Sequence, residues 1–87
     1  MTSLAETHPA LLWETPSLRT RVEHLDMAGD YLWRVVDARG TIRGHLRVIA
    51  DPLGIRYRAE RLHLASGVFR LVGEFWDADD AVAALRN

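Results

Sequence analysis

The sequence predicts an α+β domain: an antiparallel β-meander of four or five strands with a C-terminal α-helix packed on one face. Three observations carry this prediction. Short β-rich runs follow one another between turn signals, apolar and polar side chains alternate along those runs, and a helical pattern closes the chain. With 87 residues the chain is long enough for one domain with a modest core. We predict an irregular N-terminal arm over residues 1–16 and a single domain over residues 17–87.

The turns divide the strands. "YLWRVVD" and "TIRGHLRVI" flank "DARG", in which Asp37 and Gly40 suit the first and last positions of a tight turn. In "DPLG", Pro52 presets its own φ and Gly54 can close the turn. The next run, "IRYRAERLH", ends at "LASG", and "VFRLVGEFW" makes the last strand. Consecutive hairpins of this kind predict a meander.

Residues 17–27 fit two patterns. Leu18, Val22 and Leu25 have the spacing of a helical stripe, whereas "TRVEHLDM" also alternates as a strand that "AGD" turns into the next run. We favour the strand because a meander follows it, and the helix stays open as the alternative.

The final segment has the features of a helix. Asp77 is a good N-cap, and Asp79 and Asp80 complement the positive end of the helix dipole. A narrow apolar stripe follows, which we expect to cover the apolar face of the sheet: Ala78, Ala81, Val82 and Leu85.

Alternation gives the sheet one apolar face and one rich in arginine, since successive side chains of a strand point to opposite faces. The chain has no lysine, which is typical of GC-rich coding, and its net charge of −1 conceals a basic middle: residues 31–76 hold eight arginines against four acids. Planar guanidinium groups can pair bidentately with phosphate. Six arginines are the candidate nucleic-acid-binding residues: Arg34, Arg43, Arg47, Arg56, Arg58 and Arg70.

Two phrases near the end, "YRAERL" and "VGEFWDADDAVAAL", resemble the signature of AP2-type DNA-binding domains and of the arm-binding domains of phage integrases. Tyr57, Ala59 and Glu60 match its first part, and Gly73 and Phe75 begin its second part, which Ala81 completes. The resemblance covers residues 40–86 and implies a three-stranded sheet on a helix, with the open sheet face in the DNA major groove. The chain is also similar to small actinobacterial proteins.

The function expected from these patterns is that of a small accessory protein that binds double-stranded DNA through the arginine-rich face. The alternative is a non-enzymatic protein-interaction module, phage- or operon-encoded. For that alternative, the apolar cluster Leu11, Leu12 and Trp13 in the arm is the candidate interface with a protein partner or a second copy.

The sequence gives no support for a metalloprotein, an enzyme, or a secreted or membrane protein. The chain has no cysteine and its four histidines show no metal-ligand spacing, so we expect neither a metal nor a cofactor. No residue pattern nominates a nucleophile with its base, and we expect no enzyme. The N-terminus lacks a signal-peptide pattern and no segment is apolar enough for a membrane span, so a cytoplasmic location is expected. We predict Trp33 in the core and Trp76 as a wedge between helix and sheet, with the arginine face as the alternative for Trp76.

Overall fold

Five antiparallel strands form one sheet, in which each strand pairs with its neighbours in sequence. The computed structural model describes residues 14–86. The strands are β1 (His24–Gly29), β2 (Leu32–Val36), β3 (Ile42–Asp51), β4 (Gly54–His63) and β5 (Val68–Phe75), and one helix follows, α1 (Ala78–Ala83). The predicted α+β meander with a C-terminal helix on one face is therefore confirmed, with five strands.

The turns form where the sequence predicts them. The Asp37 carboxylate accepts hydrogen bonds from the backbone N–H groups of Arg39 and Thr41, both at 2.9 Å, and Gly40 adopts a φ of 83° that favours glycine. In the β3–β4 turn the Asp51 carboxylate accepts from the N–H of Leu53 at 2.9 Å. Each turn thus satisfies its own backbone donors and fixes the hairpin register.

Residues 14–23 form neither helix nor strand, and β1 begins only at His24. The strand favoured for residues 17–27 is therefore correct for residues 24–27 alone. The segment before it, residues 14–23, crosses the helix side of the sheet, where Leu18 packs against the core and the Thr15 hydroxyl accepts a hydrogen bond from Trp33 Nε1 at 3.2 Å. Lateral packing beside the helix replaces strand pairing in this segment.

Hydrogen bonds to Asp79 fix this segment at the start of α1. The Asp79 carboxylate accepts from the backbone N–H of Arg19 at 3.0 and 3.1 Å and from that of Thr20 at 3.3 Å. These bonds, with that of Arg19 first, hold the pKa of Asp79 below its ordinary value. Farther along, Arg86 and Glu23 form a bidentate pair with two contacts of 2.9 Å. The acidic first turn of the helix therefore anchors the incoming chain as well as complementing the dipole.

The core lies between α1 and the central strands. Trp33 and Leu46 are fully buried, and the predicted apolar stripe of the helix is buried with them: Ala78, Ala81, Val82 and Leu85. Gly44 lets the layers approach, because a Cβ there would collide with the backbone carbonyl of Glu60 and lie 3.2 Å from Leu85 Cδ2. The small residues of the helix and this glycine together set the distance between helix and sheet.

The helix itself is short. Asp77 caps its start by accepting from the N–H of Asp79 at 2.9 Å, as predicted. Its end is held by arginines, since Arg61 Nη2 donates to the carbonyl of Ala84 at 2.8 Å and Arg43 Nη2 to that of Arg86 at 3.0 Å. Within residues 14–86 no helix has the length and apolar character needed to cross a membrane.

Leu85→Ala should destabilise the domain by about 2–5 kcal/mol, because a buried leucine loses its contacts and leaves a cavity. Leu85 is only 1% exposed, whereas Leu53 in the β3–β4 turn is 85% exposed and provides the matched control. Urea unfolding followed by tryptophan fluorescence measures both. A similar loss in Leu53→Ala and Leu85→Ala would contradict the helix–sheet contact described above.

Candidate interaction surface

The side of the sheet away from the helix carries four of the six predicted arginines: Arg34, Arg47, Arg56 and Arg58. We call this side the open face. Residues paired directly across an antiparallel ladder lie on the same side, so the register determines which side chains join them. The other two candidates, Arg43 and Arg70, lie elsewhere, and each is displaced by a bulge.

Arg43 is the extra residue of a bulge between β2 and β3. Val35 pairs with Gly44 and Val36 with Ile42, which leaves Arg43 unpaired in the ladder. Its guanidinium group donates to the carbonyls of Leu85 and Arg86 at the end of the helix. Strict alternation puts Arg43 on the open face, and this expectation is wrong because the bulge breaks the alternation at that residue.

Arg70 is displaced by a second bulge, at Val72 in β5. Ala59 pairs with Gly73 and Glu60 with Leu71, so Val72 is the extra residue in β5. The alternation of side chains between the two faces is therefore reversed for the residues before it. Arg70 then lies opposite Arg61, on the helix side of the sheet, while Glu74 lies opposite Arg58 on the open face. The expectation that Arg70 and Glu74 share a face is therefore wrong.

Two arginines of the open face form close ion pairs with carboxylates. Arg56 contacts Asp51 at 2.9 Å and Glu74 at 3.0 Å. Arg58 donates to the same oxygen of Glu74 from Nε at 3.1 Å and from Nη2 at 2.9 Å. A chain of four alternating charges thus crosses β3, β4 and β5, and its charges neutralise one another.

The remaining two arginines are less constrained. Arg47 meets Glu60 at a longer 3.4 Å, and Arg34 forms no ion pair with any carboxylate of residues 14–86. Asp26 lies directly opposite Arg34 in the ladder. The open face as a whole balances four arginines with four carboxylates, Asp26, Asp51, Glu60 and Glu74.

Aromatic and aliphatic groups lie among these charges. The rings of His45 and Phe69 are stacked, with centroids 3.8 Å apart and planes at 12°. The guanidinium of Arg56 lies 5.6 Å from the ring of Trp76, which is 58% exposed. Of the two positions considered for Trp76, the structure shows the arginine face, and the wedge between helix and sheet is wrong because Phe75 already packs there.

The outer edge of β5 adds a further apolar strip. Among the described residues no strand pairs with this edge, and Val68, Leu71 and Val72 are exposed along it, Leu71 to 61%. Leu71 pairs with Glu60 and therefore belongs to the open face. The edge and the open face form one continuous surface that mixes apolar groups with neutralised charges.

Burial changes the protonation of His45 at the centre of this surface. Desolvation is the main cause that lowers its pKa below the ordinary value of 6.5, and the positive charges of Arg34 and Arg47 lower it further, although Glu60 acts in the opposite direction. The ring is therefore neutral at neutral pH when it stacks on Phe69.

Several components of this surface were not predicted from the sequence. Glu60 has the same parity as Arg56 and Arg58 in β4, and this spacing is the signal that could have placed it on the open face. Phe69 was missed because the Val72 bulge reverses the parity that a continuous strand would give it. The predicted arm interface, Leu11, Leu12 and Trp13, lies outside the described residues.

The described part of the chain contains no cluster of side chains suited to a metal ion. Over residues 14–86 no three or more histidine or acidic side chains group closely enough to hold a metal ion. Most polar side chains of the open face are instead paired with each other in ion pairs, and His45 stacks on Phe69. A face with this arrangement is suited to packing against the surface of another molecule.

Comparison with known proteins gives no relative from which a function could be taken. No family model matches the chain, and neither a curated protein nor a solved structure gives a significant match. The resemblance to AP2-type domains stays a prediction.

A low pKa for His45 should make stability depend on pH. In the unfolded chain His45 has its ordinary pKa of 6.5, and in the folded state its pKa is lower. At a pH just below 6.5 the folded state therefore binds fewer protons than the unfolded chain. The contribution of His45 to stability is complete above pH 6.5 and is lost as the pH is lowered through the folded pKa. Urea unfolding of the wild type should show this loss between about pH 7.5 and about pH 5.5.

His45→Gln should have a smaller loss of unfolding free energy over the same interval, because it removes the buried imidazole. His24→Gln, which removes an exposed histidine from β1, serves as the control and should retain the wild-type dependence. An identical pH dependence in wild type and His45→Gln would contradict the assignment.

Proposed function

We propose that this domain is a non-enzymatic protein-interaction module that binds its partner through the open face and the adjoining edge of β5. The observation that carries the proposal is the neutralisation of most of the open face: three of its four arginines, Arg47, Arg56 and Arg58, form ion pairs with carboxylates on the same face, and apolar groups are exposed between them. A protein surface can bury such a mixture, since paired charges are cheaper to desolvate than single ones.

The arrangement of the arginines supports this reading. Glu74 contacts both Arg56 and Arg58, and Asp51 holds the other side of Arg56. For a polyanion to bind these two guanidinium groups, it would have to displace carboxylates that already occupy them. A protein partner can instead pack over the intact ion pairs, which then act as fixed polar features that set its orientation.

Trp76 supplies the kind of residue that dominates protein interfaces. Exposed tryptophan and arginine are enriched among interface hot spots, and here the Trp76 ring lies over Arg56. Leu71 extends the apolar contact toward the β5 edge. The ion pairs around them can exclude water when a partner covers the patch.

Trp76→Ser should weaken capture of the partner by about tenfold or more, as expected for loss of a hot-spot side chain worth over about 1.4 kcal/mol. The experiment is an affinity pull-down from host lysate with the wild type and the variant, both treated with nuclease. Met27→Ser, which removes a 60% exposed residue from the opposite edge strand, is the matched control.

A partner retained by wild type and Met27→Ser but lost by Trp76→Ser supports the proposal. If the partner is a second copy of the chain, light scattering will show a concentration-dependent dimer with the same pattern. Equal capture by the wild type and both variants, or capture that nuclease abolishes, would show that the open face is not a protein interface.

DNA binding is the second candidate, and one observation favours it. Arg34 has no ion pair within residues 14–86 and Arg47 has only a long one, and their charges both act on His45, so two little-compensated cations lie close together on β2 and β3. Phosphate contacts by Arg34 and Arg47 would give a sequence-independent affinity that falls with salt.

The double variant Arg34→Glu, Arg47→Glu should abolish any electrophoretic shift of random duplex DNA at low salt. Each phosphate contact steepens the dependence of log affinity on log salt by about 0.9, so two contacts predict a slope of about −1.8 for the wild type. Arg39→Glu, in the exposed β2–β3 turn, is the control for net charge. Wild-type binding without salt dependence, or absent even at low salt, excludes this candidate.

A further inference from the structure

The far end of the β4–β5 hairpin contains a concentration of positive charge that the proposed interface does not use. Arg61 and Arg70 face each other directly across the ladder. Neither forms an ion pair with a carboxylate of residues 14–86. Like charges in directly opposite positions repel one another, so this arrangement is unfavourable until an anion lies between the two groups.

These two arginines border a hollow of about 300 Å³, which is lined by Arg61, Leu62, His63, Arg70, Leu71 and Val72. The lining combines guanidinium groups with aliphatic side chains. His63 is held by a contact of 2.7 Å between its Nδ1 and the Ser66 hydroxyl, which leaves Nε2 as its second polar atom. The hollow thus offers cationic donors next to apolar walls.

Arg61 is fixed in position before any ligand binds. Its Nη2 donates to the carbonyl of Ala84 at 2.8 Å, at the end of the helix. Its remaining N–H donors have no partner among the described residues, and Arg70 opposite is exposed. One cation is therefore preorganised and the other is free to close on an incoming group, which lowers the entropic cost of forming a two-arginine clamp.

We propose that this hollow binds a carboxylate side chain presented by the protein partner, in an acidic peptide segment with aliphatic residues on either side of the acid. The carboxylate lies between Arg61 and Arg70, and a flanking aliphatic group contacts Val72 at the edge of β5. Two arginines can donate to the two oxygens of one carboxylate, and the exposed apolar residues accept its neighbours. This inference rests on the proposed function, since it names the chemistry of the partner.

The test is a titration of the full chain with a terminally blocked peptide that has one glutamate flanked by leucines, followed by NMR of the arginine Nε–Hε signals. The signals of Arg61 and Arg70 should shift and saturate. The matching glutamine peptide should bind about tenfold more weakly or worse, because it lacks the charge. Inorganic phosphate, titrated separately, should shift the same signals with lower affinity than the glutamate peptide.

Arg70→Gln should lose about tenfold or more of the affinity for the glutamate peptide, and Arg39→Gln should bind as the wild type does. The Arg70 side chain is exposed and forms no hydrogen bond or ion pair with residues 14–86, so the variant should keep the wild-type backbone spectrum, which is checked first. Equal binding by Arg70→Gln and wild type, or equal binding of the glutamate and glutamine peptides, overturns the inference. Phosphate that binds as tightly as the peptide overturns the assignment to a peptide.

This outcome is separable from that of the proposed function. Trp76 does not line the hollow, so Trp76→Ser should still bind the glutamate peptide. If Trp76→Ser captures the partner normally while Arg70→Gln loses the peptide, the open-face proposal fails and the carboxylate site stands. If Arg70→Gln binds the glutamate peptide as the wild type does while Trp76→Ser loses the partner, the carboxylate site fails and the open-face proposal stands.

Discussion

The contact between the helix and the sheet decides the role of every other surface in this domain. Ala81, Val82 and Leu85 are buried against the central strands, and Gly44 permits that approach because a Cβ at its position would lie 3.2 Å from Leu85 Cδ2. Since a helix of six residues has little stability alone, its position depends on this packing. The centre of one face of the sheet is thereby removed from solvent, and recognition is left to the open face, the edges and the end of the β4–β5 hairpin that the short helix does not cover.

Charged groups hold both ends of that helix, and this determines which arginines remain available. At its start Asp79 receives the backbone donors of Arg19 and Thr20. At its end Arg43 and Arg61 donate to the last carbonyls, in the positions where cations favour the helix dipole. Arg43 thereby serves the fold with both its Nε and its Nη2, whereas Arg61 gives only Nη2 to the helix and keeps its other donors for a ligand.

The sequence was sufficient for the strand order, the turns, the N-cap and the buried stripe, because each depends on local chemistry or on simple alternation. It was insufficient for the positions of Arg43 and Arg70. A β-bulge adds one residue and reverses the alternation beyond it, and no residue at position 43 or 72 signals that insertion. The packing of residues 14–23 was likewise not predictable, since it depends on Asp79, some sixty positions away in sequence.

The two bulges have a combined electrostatic effect. Without them, strict alternation would place six arginines on one face and make it strongly basic. With them, four arginines meet four carboxylates on the open face, while the Val72 bulge carries Arg70 to the side of Arg61, where no described carboxylate compensates the pair. Because opposite charges within a few ångströms largely cancel at a distance, the field of the open face is weak and that of the hairpin end is positive. The geometry of the strands, more than the composition of the chain, therefore determines where an anionic group is attracted.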